Sequence, residues 1–146
     1  MAVFGTTSPD NSPHLSSMFF VANEDLNFYF ITKSETAKVA NIAANSKVSV
    51  VVSDQDSYKT VEANGIAIAI SGFEKIRTII QMFTKIYVKE EVIEHGKLFN
   101  WPPPIEKIEK GDIMVYELKP SYLRYADYSN SSPLEGNFVQ EIIVNP

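Results

Sequence analysis

Short runs of β-branched and aromatic residues, each closed by turn residues, constrain the fold of this chain more than any other feature. The strongest run, VSVVVS at residues 48–53, predicts a strand that is buried on both faces or nearly so. Runs at residues 2–7, 14–22 and 28–32 are separated by SPDNSP and NEDLN, which favour turns. The first half of the chain therefore predicts a meander of antiparallel strands.

Two segments have a helical period instead. The first helix follows Ser34 or Thr36, either of which can cap its N-terminus. Its residues at helical spacing are Val39, Ile42 and Ala43. A longer helical region is predicted over residues 73–97, with Gly96 as the residue that stops the helix. The apolar stripe of this longer helix consists of Ile76, Ile79, Ile80 and Phe83.

The second half of the chain returns to strands. YKTVEANGIAIAIS alternates in polarity around Gly65, which predicts a β-bulge or a barrel corner. NWPPPIEKIEKGD predicts a rigid connector, and IMVYELKPSYLRYADY predicts two strands broken at Pro120. A loop-like tail then leads to the short apolar run FVQEIIV. The order β-β-β-α-β-β-α-β-β predicts one mainly β domain over residues 1–146, a small closed or split antiparallel barrel with flanking helices.

Composition excludes several classes of function. The 146 residues include 18 acidic and 13 basic side chains, and the net charge of −5 argues against nonspecific binding to nucleic acid. The absence of cysteine excludes disulfides, thiolate metal sites and cysteine nucleophiles. No apolar run approaches the roughly 20 residues of a membrane-spanning helix, and MAVFGTTSPD is not typical of a signal peptide. We expect a cytoplasmic protein that binds neither nucleic acid nor membranes.

The two histidines, His14 and His95, do not form a recognisable catalytic or metal-binding motif. No spacing in the sequence supplies the other ligands of a zinc site or a Ser-His-Asp triad. We expect a structural role for each histidine, because His14 lies at a strand start and His95 lies at a helix end. The sequence also lacks GxGxxG and GxxxxGK, the loops that bind dinucleotides and triphosphates. We expect no metal site.

The segment TKSETAK, residues 32–38, is the strongest candidate for binding chemistry. A strand end, a hydroxyl-rich turn and a helix start bring together backbone N–H groups, hydroxyl donors and Lys38. Such an arrangement can bind an anion, to which the lysine adds a charge-assisted hydrogen bond. The alternative is a capped surface helix with a solvated lysine.

The order of these segments resembles the pyridoxamine 5′-phosphate oxidase-like family of FMN-binding split barrels. The resemblance runs from AVFGTTSPDNSPHLSSMFFV through FYFIT, the Thr, Lys and Asn-Ile that follow it, and VSVVV to YKTVEANGIA. PPIEKIEKGDIMVYELKPSYLRYAD is similar to the closing strands of small members. The resemblance implies a six-stranded antiparallel split β-barrel that forms a homodimer, with two FMN sites at the subunit interface.

The resemblance also implies a set of cofactor-binding residues. Residues 16–19 would run along the flavin ring, partly through backbone groups, and Lys38 matches a lysine that binds the phosphate. Lys59 and Thr60 would approach the flavin from a following strand. The full set of candidates is Ser16, Ser17, Met18, Phe19, Ile31, Thr32, Lys33, Thr36, Lys38, Lys59, Thr60 and Trp101.

Several positions depart from the oxidase that gives the family its name. That enzyme resembles this chain but has arginines at the positions of Ser16 and Ala37 and a glutamine at the position of Thr60. Two phosphate-binding cations are therefore absent, and Lys33 or Lys59 are the candidates to replace them. The arginine- and histidine-bearing substrate motif is not found in FVQEIIVNP, and the family's helix before the first strand is missing. We therefore do not expect oxidation of pyridoxamine phosphate.

These features predict an FMN-dependent oxidoreductase that acts on a small-molecule substrate or electron donor. The flavin would carry the hydride chemistry, and no residue stands out as an acid or base. The alternative is a non-catalytic flavin-binding or sensing module, and a deazaflavin or haem in the same groove is a further one. Trp101 would anchor the long helix or cover the flavin, whereas Tyr122 and Tyr125 suit an interface or the core.

Overall fold

Eight strands of the described chain form one curled antiparallel sheet, with three helices around it. The computed structural model describes residues 1–88, 102–129 and 138–144. The strands are β1 (Ala2–Thr7), β2 (Pro13–Met18), β3 (Phe20–Ala22), β4 (Phe28–Lys33), β5 (Lys47–Asp54), β6 (Lys59–Ala69), β7 (Ile113–Asp127) and β8 (Val139–Ile143). The helices are α1 (Ala37–Ala44), α2 (Phe73–Tyr87) and α3 (Ile105–Glu109). The mainly β, split-barrel prediction is confirmed, although eight strands rather than six are present.

The sheet closes on itself through the chain connection between its two end strands. Its order is β2-β1-β5-β6-β7-β4-β3, and β8 pairs with β7 beside this path. We expected one strand over residues 14–22, but it is interrupted at Phe19. The interruption lets the chain leave β1, the partner of β2, and pair with β4 through β3. A single straight strand could not serve both ends of the sheet.

The predicted irregularity at Gly65 is confirmed as a register shift between β6 and β7. A Cβ atom at Gly65 would lie 2.0 Å from the Lys119 carbonyl oxygen, so only glycine fits there. Gly65 lies opposite Pro120, while Asn64 lies opposite Tyr122. The predicted break of the strand at Pro120 is therefore wrong. The proline is tolerated inside one long strand because the interrupted ladder does not need its missing N–H.

Two apolar clusters lie on opposite faces of the sheet. The barrel interior is filled by side chains such as Phe4, Phe30 and Leu118, and the rings of Phe4 and Phe30 lie 4.3 Å apart. The other cluster lies beneath α2, where Ile79 and Phe83 are fully buried. The predicted stripe of α2 is confirmed by this packing. Helix α2 thus covers only one part of the outer surface of the sheet.

The outer face of β5 is not covered, contrary to the predicted burial of both faces. Val48 and Val50 point into the barrel, whereas Val51 is exposed on the outside. A run of valines does not distinguish a strand covered on both faces from one whose outer face meets solvent or another chain. The outer face of β5 is exposed because α2 and α3 pack against other parts of the sheet.

The helices also differ in detail from the sequence expectations. In α1 the buried residues are Asn41 and Ile42, while Ala43 is exposed. Helix α2 ends at Tyr87, and the rest of the predicted segment, with His95, lies outside the described residues. The expected connector contains α3, and the apolar run of the tail forms β8. No helix among residues 1–88, 102–129 and 138–144 is long and apolar enough to cross a membrane.

Candidate functional site

Thr32, Thr36 and Lys38 converge where β4 ends and α1 begins, and we call them the lysine corner. The Lys38 Nζ donates a hydrogen bond to Thr32 Oγ1 at 3.3 Å. The Thr32 and Thr36 hydroxyl oxygens lie 3.5 Å apart. Thr36 occupies the N-cap position, but its hydroxyl donates to the Lys33 carbonyl at 3.1 Å and does not cap the helix. The structure thus brings together the residues of the predicted anion site.

No acid in the described part of the chain compensates the charge of Lys38. Burial lowers the pKa of Lys38 from the ordinary lysine value. Among the residues that the structure describes, no carboxylate forms an ion pair with it. The N-terminal turn of α1 also lacks a capping side chain from Thr36. A partly desolvated cation and a positive helix end therefore face the same corner.

A buried hydrogen bond fixes α1 across the barrel end. Asn41 Nδ2 donates to Thr6 Oγ1 of β1 at 2.9 Å, and both residues are buried. Lys38, one turn earlier on the same side of α1, reaches β4. The helix therefore bridges two strands that lie far apart in the sheet order. Asn41 belongs to the Asn-Ile pair of the family resemblance, but its buried bond was not predicted, although a polar residue among the small apolar residues of VANIAA was the available signal.

Strand β2 carries two buried polar atoms without a partner among the described residues, Ser16 Oγ and His14 Nδ1. Both side chains lie on the inward face of β2, where Ser16 is opposite Phe4 and His14 is opposite Thr6. The Phe4 ring contacts Phe30, two residues before the threonine of the lysine corner on β4. Buried polar atoms normally have a hydrogen-bond partner, so these two atoms suit a site that binds a polar ligand.

The remaining β2 candidates present different faces. Ser17 is exposed on the outer face opposite Val3, whereas Met18 is buried in the barrel interior. Phe19 lies at the interruption after β2, with its ring 4.9 Å from the Tyr87 ring. Because β2 ends the sheet path, its backbone groups on one edge have no strand partner among the described strands. Contact with a ligand ring along this edge would be made mainly by backbone.

Two candidates on β4 differ sharply in burial. The Ile31 side chain lies in the cluster beneath α2 and can offer only its backbone to a ligand in the barrel. Lys33 is exposed, and its partner in the antiparallel pairing of β4 with β7 is Ile113. Neither side chain forms a hydrogen bond with the lysine corner among the described residues. The Lys33 carbonyl, however, accepts a hydrogen bond from Thr36.

Lys59 and Thr60 are not brought to the lysine corner within one chain. Lys59 lies opposite Asp127 at the end of β7, and the two form an ion pair at 3.7 Å. Thr32 lies opposite Met114, near the beginning of the same strand. The two parts of the predicted site thus lie at opposite ends of β7. Trp101, the last candidate, lies outside the described residues.

The two tyrosines expected at an interface or in the core bond to nearby carboxylates. Tyr122 donates to Glu141 at 2.8 Å on the outer face, and Tyr125 donates to Asp127 at 3.2 Å. Both hydroxyls are therefore engaged at the end of β7 remote from the lysine corner.

A family model described as pyridoxamine 5′-phosphate oxidase matches residues 1–126. No curated protein matches the sequence significantly. Among solved structures, an FMN binding protein related to pyridoxamine 5′-phosphate oxidase from Nostoc punctiforme is similar, with a TM-score of 0.63 and 13% identity. That alignment covers 99% of this chain and 87% of the other.

Two further similar structures are described by other ligands or activities. A protein described as an F420 reductase is 21% identical with a TM-score of 0.60, covering 84% of this chain and 86% of that one. A heme binding protein from Mycobacterium smegmatis is 13% identical with a TM-score of 0.64, covering 97% of this chain and 52% of that one. The TM-scores show that these proteins share the fold of this chain. The family model, which matches residues 1–126, shows that the chain belongs to the pyridoxamine 5′-phosphate oxidase family.

Proposed function

We propose that this protein binds FMN at the lysine corner and acts as an oxidoreductase on a small-molecule substrate or electron donor. The observation that carries the proposal is Lys38, which lies among threonine hydroxyls at the start of α1 and has no ion pair with a described carboxylate. These groups suit a phosphate, which accepts hydrogen bonds from all of them. A neutral or cationic ligand would leave the lysine without a counter-charge.

The residues present also fit the rest of the cofactor. Ser16 has a buried hydroxyl that lacks a partner among the described residues, on the strand that would carry the ring. The unpaired edge of β2 offers backbone N–H and C=O groups, which match the hydrogen-bonding edge of a flavin ring. When bound, FMN would supply hydride transfer between a donor and an acceptor. The chain would hold the phosphate, orient the ring and limit its access to water.

We further propose that the working unit is a homodimer. Lys59 and Thr60 lie at the other end of β7 from the lysine corner. If the lysine corner contacts the same cofactor molecule as Lys59 and Thr60, the two sets of residues come from different subunits. A two-fold axis would then create two equal sites.

The outer sheet face left open by the helices supports this assembly. Its apolar side chains include Val3 at 44% exposure, Leu15 at 69% and Ile66 at 44%. Gly5 and Ser49 lie between them and leave a trough of about 500 Å³. Contiguous exposed apolar surface favours association. Light scattering should give twice the 16.4 kDa chain mass, and a monomer that binds FMN tightly would contradict the shared site.

The direct test of function is the absorption spectrum of the freshly purified protein, followed by titration with FMN, riboflavin, F420 and haem. We expect FMN to bind most tightly and riboflavin to bind more weakly, because riboflavin lacks the phosphate. The FMN-loaded protein is then mixed anaerobically with nicotinamide nucleotides and other small donors. Bleaching of the visible flavin band, followed by repeated reoxidation, would support an oxidoreductase.

Pyridoxamine phosphate is the informative negative control. Ser16 and Ala37 provide no cation where the oxidase is expected to have arginine, so we expect no reduction by this compound. The alternative function is a flavin-binding module without catalysis, which is favoured by the single cation of the lysine corner. Tight FMN binding without reduction by any donor would establish that alternative. Absence of FMN binding would contradict both.

A further inference from the structure

One hydroxyl group binds both polar backbone groups of Phe20. The Tyr87 hydroxyl donates to the Phe20 carbonyl at 2.7 Å, and the Phe20 N–H donates to the same oxygen at 3.4 Å. Tyr87 is the last residue of α2, whereas Phe20 is the first residue of β3. The contact therefore joins the end of a helix to the point where the chain resumes its strand.

The bonded residue follows directly on the segment proposed to run along the flavin ring. In an antiparallel ladder, the N–H and C=O of one residue point to the same side. Those of Phe20 meet Tyr87 on the edge of β3 away from β4. Phe19, between β2 and β3, packs its ring against the Tyr87 ring at 4.9 Å. Tyr87 thus contacts the chain at Phe19 and Phe20, where it passes from β2 into β3, and holds the direction that the chain takes there.

The tyrosine can fix this direction because α2 itself is firmly held. Near the start of α2, Lys75 forms an ion pair at 3.1 Å with the buried carboxylate of Glu117. In its middle, Ile79 and Phe83 are fully buried against the sheet. At its end, the Phe83 and Tyr87 rings stack at 5.9 Å. The Tyr87 hydroxyl is therefore presented from a rigid support.

We propose that Tyr87 is a positioning residue for the cofactor site, which holds the β2 edge in the arrangement that receives the flavin ring. The proposal rests on the proposed FMN function. Tyr87 acts through Phe20 and would not contact the phosphate, which the lysine corner would bind. The ring and the phosphate are thus served by two separate parts of the fold.

The test is the variant Tyr87→Phe, which removes the hydroxyl and keeps the ring that packs on Phe19 and Phe83. Loss of this hydrogen bond should weaken FMN and riboflavin binding by the same factor, about 3- to 10-fold. Flavin fluorescence quenching measures both dissociation constants on folded protein. In the ligand-free variant, the Phe20 amide should also exchange its hydrogen faster than in the wild type.

The matched control is Thr84→Ala, one turn earlier on α2. Its hydroxyl donates at 2.9 Å to the Ile80 carbonyl of the same helix, so its loss perturbs α2 without touching Phe20. We expect unchanged flavin binding from this variant. Equal weakening by both variants would overturn the positioning role, because it would reflect general loosening of α2.

Two results on Tyr87→Phe and one on the wild type separate the proposals. Unchanged dissociation constants with a lower unfolding temperature would overturn the positioning role and leave the FMN function standing. Weakened FMN with unchanged riboflavin would also overturn it, because the effect would then lie at the phosphate. If the wild type binds neither flavin, the proposed function fails, and the positioning role fails with it.

Discussion

Two lysines of this protein reach inward from helices, and their surroundings differ. Lys75 of α2 meets the carboxylate of Glu117, whose side chain is only 5% exposed, and Tyr29 donates to the other oxygen of that carboxylate at 2.9 Å. Within residues 1–88, 102–129 and 138–144, the Lys38 ammonium of α1 bonds only to the hydroxyl of Thr32. The first lysine completes a network, whereas the second contributes a charge that no described acid balances.

This difference separates a structural polar cluster from a ligand site. Around Glu117, donors and acceptors are matched, so the network stabilises the fold and gains nothing from a ligand. At the lysine corner, donors predominate and burial disfavours the charged lysine. An added anion would improve the electrostatics there. Mutations in the two regions should therefore affect different properties.

The largest effect is expected from Glu117→Ala. The change leaves a cavity beneath α2 and a buried Tyr29 hydroxyl without its acceptor, so the free energy of unfolding should fall by about 3 kcal/mol. Urea unfolding followed by far-ultraviolet circular dichroism measures it. FMN binding by the protein that remains folded should be unchanged.

The control for this prediction is Glu62→Ala. Glu62 pairs with Arg124 at 2.7 Å, but both side chains are partly exposed. Solvent screens such pairs, so the loss should stay below about 1 kcal/mol. Similar losses from both variants would show that the buried network is no more stabilising than a surface pair.

The next effect is on binding, in Lys38→Ala. Removal of a charge-assisted hydrogen bond should weaken FMN binding by about 10- to 100-fold, equivalent to roughly 1.5–3 kcal/mol. Riboflavin binding should hardly change, and stability should change little because Lys38 makes only a 3.3 Å bond to Thr32. Lys85→Ala, which removes an exposed lysine from α2, is the matched control. Equal weakening for both flavins would mean that Lys38 supports the fold instead.

A smaller effect is expected from Thr32→Val, which replaces the hydroxyl by a methyl group of similar size. Thr32 is buried and its hydroxyl accepts a hydrogen bond from the Lys38 ammonium group, so the change removes one charge-assisted hydrogen bond and loosens the lysine. FMN binding should weaken about 5-fold, with riboflavin less affected. Titration of both flavins provides the measurement, and a larger loss than in Lys38→Ala would contradict the assignment of the charge to Lys38.

The last prediction concerns Tyr29, whose effect on the pH dependence of stability should appear only above about pH 10. Burial, with the hydrogen bond to Glu117, raises the pKa of Tyr29 to about 12. The unfolded chain therefore loses this proton near pH 10, before the folded protein does, and stability falls as pH rises from 10 towards 12. Tyr29→Phe should be less stable at neutral pH but show a shallower decline above pH 10. Equal slopes in urea unfolding would show that Tyr29 is not protected.

Local chemistry was sufficient to predict some parts of this protein. β-Branched runs separated by turn residues specified β1, β4 and β5, because side-chain sterics and turn geometry act over a few residues. The apolar period specified α2 up to Tyr87, and Gly65 specified a bulge, since any side chain there would meet the Lys119 carbonyl. The segment at residues 32–38 specified the elements of the lysine corner.

Tertiary structure decided what the local pattern left open. The break at Phe19 follows from the need of one chain segment to serve both ends of a closing sheet. Pro120 stays within β7 because the ladder is already interrupted opposite Gly65. Glu117 is buried because Tyr29 and Lys75 arrive from distant segments, and the exposed face of β5 depends on where the helices pack. These outcomes depend on contacts between residues far apart in sequence, which a pattern over neighbouring residues does not contain.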